Sequence, residues 1–284
     1  VTDYLELLGL PAGQPPRRAE IADAPVGLNG LVFKTDDVKA TYDRLVQLDM
    51  AGDPPKSFSR PVDVGDSTKE AGFSTVTVRG DVFEAGRVYF CQHHTPELVW
   101  RPQWQEHANA TRSTNVFVVV ARDAEREAAR YGQLLGLAVG ARSGGEYTID
   151  LNGSVLSIMG PDEYAGAFGG FALPYGNRTS LFGAVRLRVD SLEEISEIAS
   201  SGVEGCRFRV DDGRVEDPTL SVFLESEVGA PVILTGVHGG YFFPFEVDIV
   251  MERGRITLED LGGKLRCRRV IRHPLYVHQP SLDE

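Results

Sequence analysis

The most constraining feature of this sequence is a pattern of one strand, one helix and several further strands that recurs along the chain. The first complete copy begins with the strand candidate 27–35, the second with 114–120 and the third with 184–189. A recurrence at about 75 residues is too long for a solenoid repeat and indicates duplicated supersecondary modules. The sequence therefore predicts an α+β fold built from repeated βαβββ modules.

Local signals in the first copy support this interpretation. Asp36 and Asp37 follow the strand candidate and can cap a helix with their carboxylates. The helix has an apolar face at spacings i, i+4, i+7 and i+8, formed by Val38, Tyr42, Leu45 and Val46. Two strand candidates follow, Phe73–Val78 and Arg87–His93, with turn residues between them.

The second and third copies carry matching signals. Asp123 can cap a helix that ends at Gly136 and turns Ala128, Tyr131 and Leu135 inward. Asn152-Gly153 then predicts a hairpin between strands Tyr147–Leu151 and Ser154–Met159. In the third copy Ser191 opens a capping box, and the expected strands are Cys206–Val210, Leu220–Glu225 and Pro231–Thr235.

The two ends of the chain fit the repeat less well. Asp3–Gly9 is expected to be the last strand of a fourth module, whose earlier elements either lie outside this sequence or are supplied by the tail. The tail contains one strand candidate, Phe245–Val250. We expect one half at 1–110 with an incomplete first module, a second half at 111–237 and an extension at 238–284.

Composition excludes several classes of function. The chain carries 41 acidic and 29 basic side chains, which gives a net charge of −12. Its one dense basic run, 264–272, is local, so a nucleic-acid-binding surface is not expected. Neither a membrane span nor a signal peptide is recognisable. Three widely spaced cysteines without a CxxC motif are typical of free thiols, and a cytoplasmic location is expected.

Two segments carry a resemblance to a known family. The first is Tyr4-Leu-Glu-Leu-Leu8. The second is Val88–Trp100, which reads VYFCQHHTPELVW and is followed by Arg101-Pro-Gln-Trp104 and His107. Together with the modules, they resemble the glyoxalase-like domain branch of the vicinal oxygen chelate superfamily, over roughly residues 1–237. The resemblance implies modules paired into cup-shaped mixed sheets and, in many members, a divalent metal chelated by substrate oxygens. Activities across that superfamily differ, so fold alone does not choose a reaction.

Candidate metal ligands lie in the first half of the chain. The resemblance places Glu6 at a ligand position. His93 and His94 stand at the end of a predicted strand. Because side chains alternate along a strand, only one histidine lies on each face unless Thr95-Pro96 breaks the strand. A carboxylate with two histidines would suit Fe(II) or another divalent ion such as Mn, Ni or Zn. Alternatively, His93 or His94 bonds to a backbone carbonyl or to Glu97.

Candidate substrate-binding residues lie beside these histidines. Trp100, Arg101 and Trp104, with Tyr89, could line a pocket for an aromatic or carboxylate substrate, or could simply pack a loop over the sheet end. Glu97 is a candidate acid or base.

Two functions remain open. The first is a metal-dependent enzyme, a lyase or isomerase or a ring-cleaving dioxygenase, acting on a small substrate with vicinal oxygens. The second is a metal-free protein that binds or sequesters a small molecule in the same fold. Because modules of this family often pair between chains, the resemblance also implies a homodimer.

Overall fold

The computed structural model describes residues 3, 4, 6, 27–105 and 111–190, and beyond residue 190 the backbone of seven strands. Two compact units divide the chain. The two-module unit comprises Leu28–Trp104 and Asn115–Val185. The three-segment unit comprises Val1–Gly27, Gln105–Thr114 and Arg186–Glu284.

The first module of the two-module unit has the predicted order of elements. Its bounds are β1 (Gly30–Lys34), α1 (Val38–Gln47), β2 (Lys56–Asp63), β3 (Thr68–Thr77) and β4 (Arg87–His93). The four strands form one sheet in the order β1-β4-β3-β2. The β1–β4 pair is parallel and the others are antiparallel. This is the βαβββ module that the sequence predicts.

Side-chain caps fix the start of α1. The Asp37 carboxylate accepts a hydrogen bond from the Ala40 backbone N–H at 2.9 Å, as predicted. The Gln92 amide of β4 accepts from Val38 N–H and donates to the Asp36 carbonyl, which attaches the helix to the sheet. Leu45 is fully buried, but the prediction that Val46 points inward is wrong, since its side chain is 53% exposed. Successive helix residues are rotated by about 100°, which turns Val46 out of the interface.

The second module repeats the plan. It comprises β5 (Thr111–Ala121), α2 (Ala124–Leu135), β6 (Gly140–Ala141), β7 (Tyr147–Asp150) and β8 (Val155–Met159), followed by α3 (Pro161–Phe168) and β9 (Ser180–Val189). Within the unit, the strand order is β9-β5-β8-β7-β6. The predicted hairpin is confirmed, with Asn152 at φ 61° and Gly153 at φ 119°, the two positive values of a type I′ turn.

One hydrophobic core joins the two modules. Leu31, Leu45 and Phe90 from the first module belong to the same buried cluster as Val119 and Leu156 from the second. The ring of Phe83 stacks on that of Tyr131 with centroids 4.1 Å apart. The Arg44 guanidinium of α1 donates to the Gln133 carbonyl of α2 at 2.9 Å. The two modules therefore form a single folding unit.

In the three-segment unit, the predicted third-copy strands are present. β10 (Cys206–Asp211), β11 (Thr219–Leu224) and β12 (Pro231–Thr235) pair antiparallel in succession. The expected helix from Ser191 lies outside the described residues. Near the end of the second module, the Arg112 guanidinium forms an ion pair with Asp190.

The tail has more structure than the sequence predicts. It contains four strands rather than one: β13 (Val247–Met251), β14 (Gly254–Glu259), β15 (Lys264–Arg272) and β16 (Pro280–Asp283). They form an antiparallel sheet in chain order. The basic run at 264–272 is strand β15, where charged side chains conceal the alternation that marks a strand.

Two further differences concern the first half of the chain. Residues 3, 4 and 6 are not in a strand, and the rest of the predicted strand 3–9 lies outside the described residues. Strand β2 was not predicted, because nearly every residue in it is exposed and no buried face shows in its sequence. In the part of the chain described here, no helix has the length and apolarity needed to cross a membrane.

Candidate functional site

The sheet of the first module has one face in the core and one face outside it. Leu31, Val76, Val88 and Phe90 point into the core. Since side chains alternate along each strand, the register assigns a second set of residues to the opposite face, which we call the open face. Its central members are the exposed Val32, Lys34, Phe58 and Arg60, the partly buried Phe73, Tyr89 and His93, and the buried Cys91.

A line of aromatic rings crosses the open face. Phe58 of β2 pairs with Phe73 of β3, which pairs with His93 of β4. The two phenylalanine rings are stacked at 5.3 Å, and the edge-on contact of Phe73 with His93 is 5.1 Å between centroids. Trp100 continues the line, 4.5 Å from His93. The two phenylalanine rings are nearly parallel, whereas Phe73 with His93 and His93 with Trp100 meet edge to face at 75° and 67°, so a planar molecule can stack on the phenylalanine pair only.

Cationic groups lie over the rings at both ends of this line. The Lys34 ammonium is 5.5 Å from the centre of the Trp100 ring, and the Arg60 guanidinium is 5.1 Å from that of Phe58. Arg87 lies 5.1 Å over the ring of Tyr89 on the same face. These distances are within the range of cation–π attraction.

The His93 imidazole is kept neutral by its surroundings. Burial lowers its pKa below the usual value of 6.5, and the positive charges of Lys34 and then His94 lower that pKa further. A neutral imidazole carries both a donor and an acceptor nitrogen. Both ring nitrogens of His93 are buried, and the neutral imidazole adds no charge to this face.

His94 is directed to the other side of the strand. Its Nε2 atom is 2.7 Å from the Ser74 hydroxyl, and that hydroxyl is 2.7 Å from the hydroxyl of Ser57. Ser74 is next to Phe73 in β3, so the contacts of the two histidines come from opposite faces of the sheet. In this structure the two imidazoles do not converge on one point.

The other predicted site residues surround the open face with varied contacts. Arg101 lies 4.8 Å over the ring of Trp104 and donates to the Asp63 carbonyl, so its guanidinium is held at the sheet edge. Trp104 is exposed, in the short 3₁₀ helix Pro102–Trp104. Glu97 is exposed, in the short 3₁₀ helix Pro96–Leu98.

The described residues do not complete a divalent metal site on the open face. The strand positions of this face supply the His93 imidazole and the Cys91 thiol, but no carboxylate. Across the described part of the chain, no group of three or more His, Cys, Asp or Glu side chains is placed to hold an ion. Glu6 is exposed and belongs to the three-segment unit, so its role as a ligand stays a prediction.

Sequence reasoning missed four members of this site. Lys34, Phe58, Arg60 and Phe73 were not predicted, because they reach the histidine strand only through the strand register. A signal was present in Lys56-Ser-Phe-Ser-Arg60, where apolar and basic residues alternate with serine. That alternation is typical of a strand with one polar face.

Comparison with known proteins identifies the first half of the chain. Residues 1–135 match the family described as a glyoxalase-like domain. The match confirms the resemblance to the glyoxalase-like branch of the vicinal oxygen chelate superfamily. No curated protein sequence matches the chain.

Several solved structures resemble this chain at low sequence identity. A hypothetical protein from Staphylococcus aureus is 10% identical with a TM-score of 0.44, over 71% of this chain and 63% of that one. A Mn(II)-bound glyoxalase from Novosphingobium aromaticivorans is 11% identical with a TM-score of 0.46, over 78% and 66%. Methylmalonyl-CoA epimerase from Mycobacterium tuberculosis is 13% identical with a TM-score of 0.37, over 46% and 91%. This chain therefore spans less than two thirds of the length of the first two proteins.

Proposed function

We propose that the open face is the ligand site of this glyoxalase-like domain and that it binds a small planar organic molecule by stacking. The observation that carries the proposal is the line of rings from Phe58 through Phe73 and His93 to Trp100. Phe58 is 39% exposed and Phe73 is partly exposed, so a ligand can reach this pair of rings from the open face.

Removing part of the aromatic line tests this proposal. Phe58→Ala deletes a ring that is 39% exposed, and Leu137→Ala is a matched control, since Leu137 is 42% exposed and belongs to the second module. Binding of small aromatic compounds can be followed by ligand-observed NMR. We expect Phe58→Ala to weaken binding about tenfold, the loss of one stacking contact, and Leu137→Ala to leave it unchanged. Equal binding by both variants and the unaltered protein would place the ligand elsewhere.

A metal-dependent enzyme is the second candidate function. The matched residues 1–135 include all three predicted ligands, Glu6, His93 and His94, which supports keeping the metal-dependent enzyme as a candidate. In this hypothesis Glu6 and His93 or His94 hold a divalent ion such as Fe, Mn, Ni or Zn, and the reaction is that of a lyase, an isomerase or a dioxygenase.

Elemental analysis separates the two candidates. The metal hypothesis predicts about one equivalent of metal per chain, consistent with a single ligand set, and its loss in both Glu6→Ala and His93→Ala. Metal that is retained in both variants, or none after incubation with these ions, would contradict it. The stacking proposal requires no metal, and its NMR test can be run after chelation.

A further inference from the structure

The charged residues of the first-module sheet are sorted between its two faces. The strand positions of the open face carry five basic side chains, Lys34, Lys56, Arg60, Lys69 and Arg87. Those same positions, all within the described strands β1 to β4, carry no acidic side chain. The acidic residues of these strands, Asp63 and Glu70, alternate to the opposite face. Sorting of this kind creates a local positive potential.

The composition of the chain does not account for this sorting. The chain has 41 acidic and 29 basic side chains and a net charge of −12, so an average patch of its surface has an excess of acids. Lys56 is neutralised, because its ammonium lies 2.5 Å from the Asp53 carboxylate. Among the described residues, Lys34, Arg60, Lys69 and Arg87 form no ion pair, whereas other surface basic residues such as Lys39 and Arg79 do. The positive charge of the open face is therefore uncompensated within the described chain.

The uncompensated charges lie beside the surface that stacks the ligand. Lys34 and Arg60 lie over the first and last rings of the aromatic line, and Arg87 lies over the neighbouring Tyr89. A planar molecule stacked on Phe58 and Phe73 lies beside Arg60, and Lys34 lies further along the same line, over Trp100. An acidic substituent that points toward one of these cations would gain a charge-assisted contact.

We propose that the open face selects a planar aromatic or conjugated carboxylate, with the ring stacked on Phe58 and Phe73 and the carboxylate held by Lys34 or Arg60. This inference rests on the proposed function and adds the charge of the ligand to it.

Tryptophan fluorescence reports directly on this surface. The chain contains two tryptophans, Trp100 and Trp104, and Trp100 contacts both His93 and Lys34. In a full-length Trp104→Phe protein, the emission comes from Trp100 alone. Three probes of similar shape are titrated at fixed ionic strength: benzoate as the anion, benzamide as the neutral analogue and benzylamine as the cation.

We expect benzoate to bind about tenfold more tightly than benzamide, which is the effect of one charge-assisted contact. Benzylamine should bind more weakly than benzamide, and added salt should weaken benzoate binding in particular. Lys34→Gln combined with Arg60→Gln should bring benzoate to the affinity of benzamide. Lys39→Gln, which removes an exposed lysine of α1 that pairs with Asp43, should preserve the difference.

The possible outcomes distinguish a failure of the charge preference from a failure of the proposed ligand site. Equal affinity for benzoate and benzamide, or a benzoate preference that survives Lys34→Gln with Arg60→Gln, overturns the charge preference and leaves the stacking site intact. If none of the three probes changes Trp100 emission or binds by NMR, the proposed ligand site fails, and the charge preference fails with it.

Discussion

At the scale of single residues, the least expected group is a buried acid in α2. Glu127 is 6% exposed, one of its carboxylate oxygens has no hydrogen-bond partner, and the other lies 3.8 Å from the Arg130 guanidinium. Burial raises the pKa of Glu127 from 4.5 to about 7; Arg130 opposes this rise and Glu84 adds to it. Arg126 and Asp123 make smaller contributions of opposite sign.

Glu127 therefore makes stability depend on pH. Its folded-state pKa is the higher one, so between pH 4.5 and about 7 the folded chain binds more protons than the unfolded chain, and stability falls as pH rises. Above pH 7 the cost is complete, about 3 kcal/mol. We expect Glu127→Gln to raise the free energy of unfolding at pH 8 by about this amount. The dependence of that free energy on pH, measured by urea unfolding at pH 5, 6 and 8, should become weaker.

The exposed neighbour Glu125 is the control for this prediction. Glu125→Gln removes the same charge from the same helix turn without relieving any burial. It should leave the slope of stability against pH as it is in the unaltered protein. A slope that Glu127→Gln does not change would show that Glu127 is not its source.

At the scale of elements, helix ends were predictable because they depend on neighbouring residues in the sequence. As predicted, the Asp37 carboxylate caps the start of α1, and Gly136, with a φ of 68°, ends α2. The strand Arg87–His93 and the hairpin at Asn152 were also predictable from short patterns. Each of these signals lies within a few residues of the feature it determines.

Elements whose pattern depends on distant partners could not be predicted. Strand β2 exposes nearly all of its residues, so the alternation of serine with Lys56, Phe58 and Arg60 contains one apolar residue and marks no buried face. The Ser74 hydroxyl that binds His94 is 20 residues away along the chain. For the same reason the sequence identified His93 and Trp100 as site residues but not the Phe73 ring that contacts His93.

The cap of α1 gives a prediction at this scale. Asp37→Ala removes the acceptor for the Ala40 N–H, and we expect a loss of about 1 kcal/mol in the free energy of unfolding. Asp37→Asn is the matched control, because an asparagine oxygen can accept the same hydrogen bond, and it should lose little. Chemical unfolding of both variants measures this difference. An equal loss in both would attribute the effect to charge rather than to capping.

At the scale of the whole molecule, the two modules depend on each other for their core. Phe83 comes from the first module, is nearly fully buried, and stacks on the fully buried Tyr131 of the second. Next to this contact, the Arg130 guanidinium donates to the Val82 carbonyl at 3.2 Å. Neither module can bury these side chains alone.

Truncation of Phe83 should therefore destabilise both modules together. We expect Phe83→Ala to cost about 3–5 kcal/mol and to lower the unfolding midpoint of the two-module unit. Hydrogen exchange should then increase by the same factor at amides of β4 and of β8, since one shared core protects both strands. Faster exchange in β4 alone would show that the modules are independent.

The interleaving of the two units also affects the order in which a growing chain can fold. All residues of the two-module unit have been synthesised once residue 185 has been added, whereas the three-segment unit draws on both ends of the chain. Since domains generally fold as units during synthesis, the two-module unit can fold on the ribosome before Arg186–Glu284, a segment of the three-segment unit, has been synthesised. A nascent chain interrupted at that point therefore carries an incomplete three-segment unit, which chaperones and proteases can recognise.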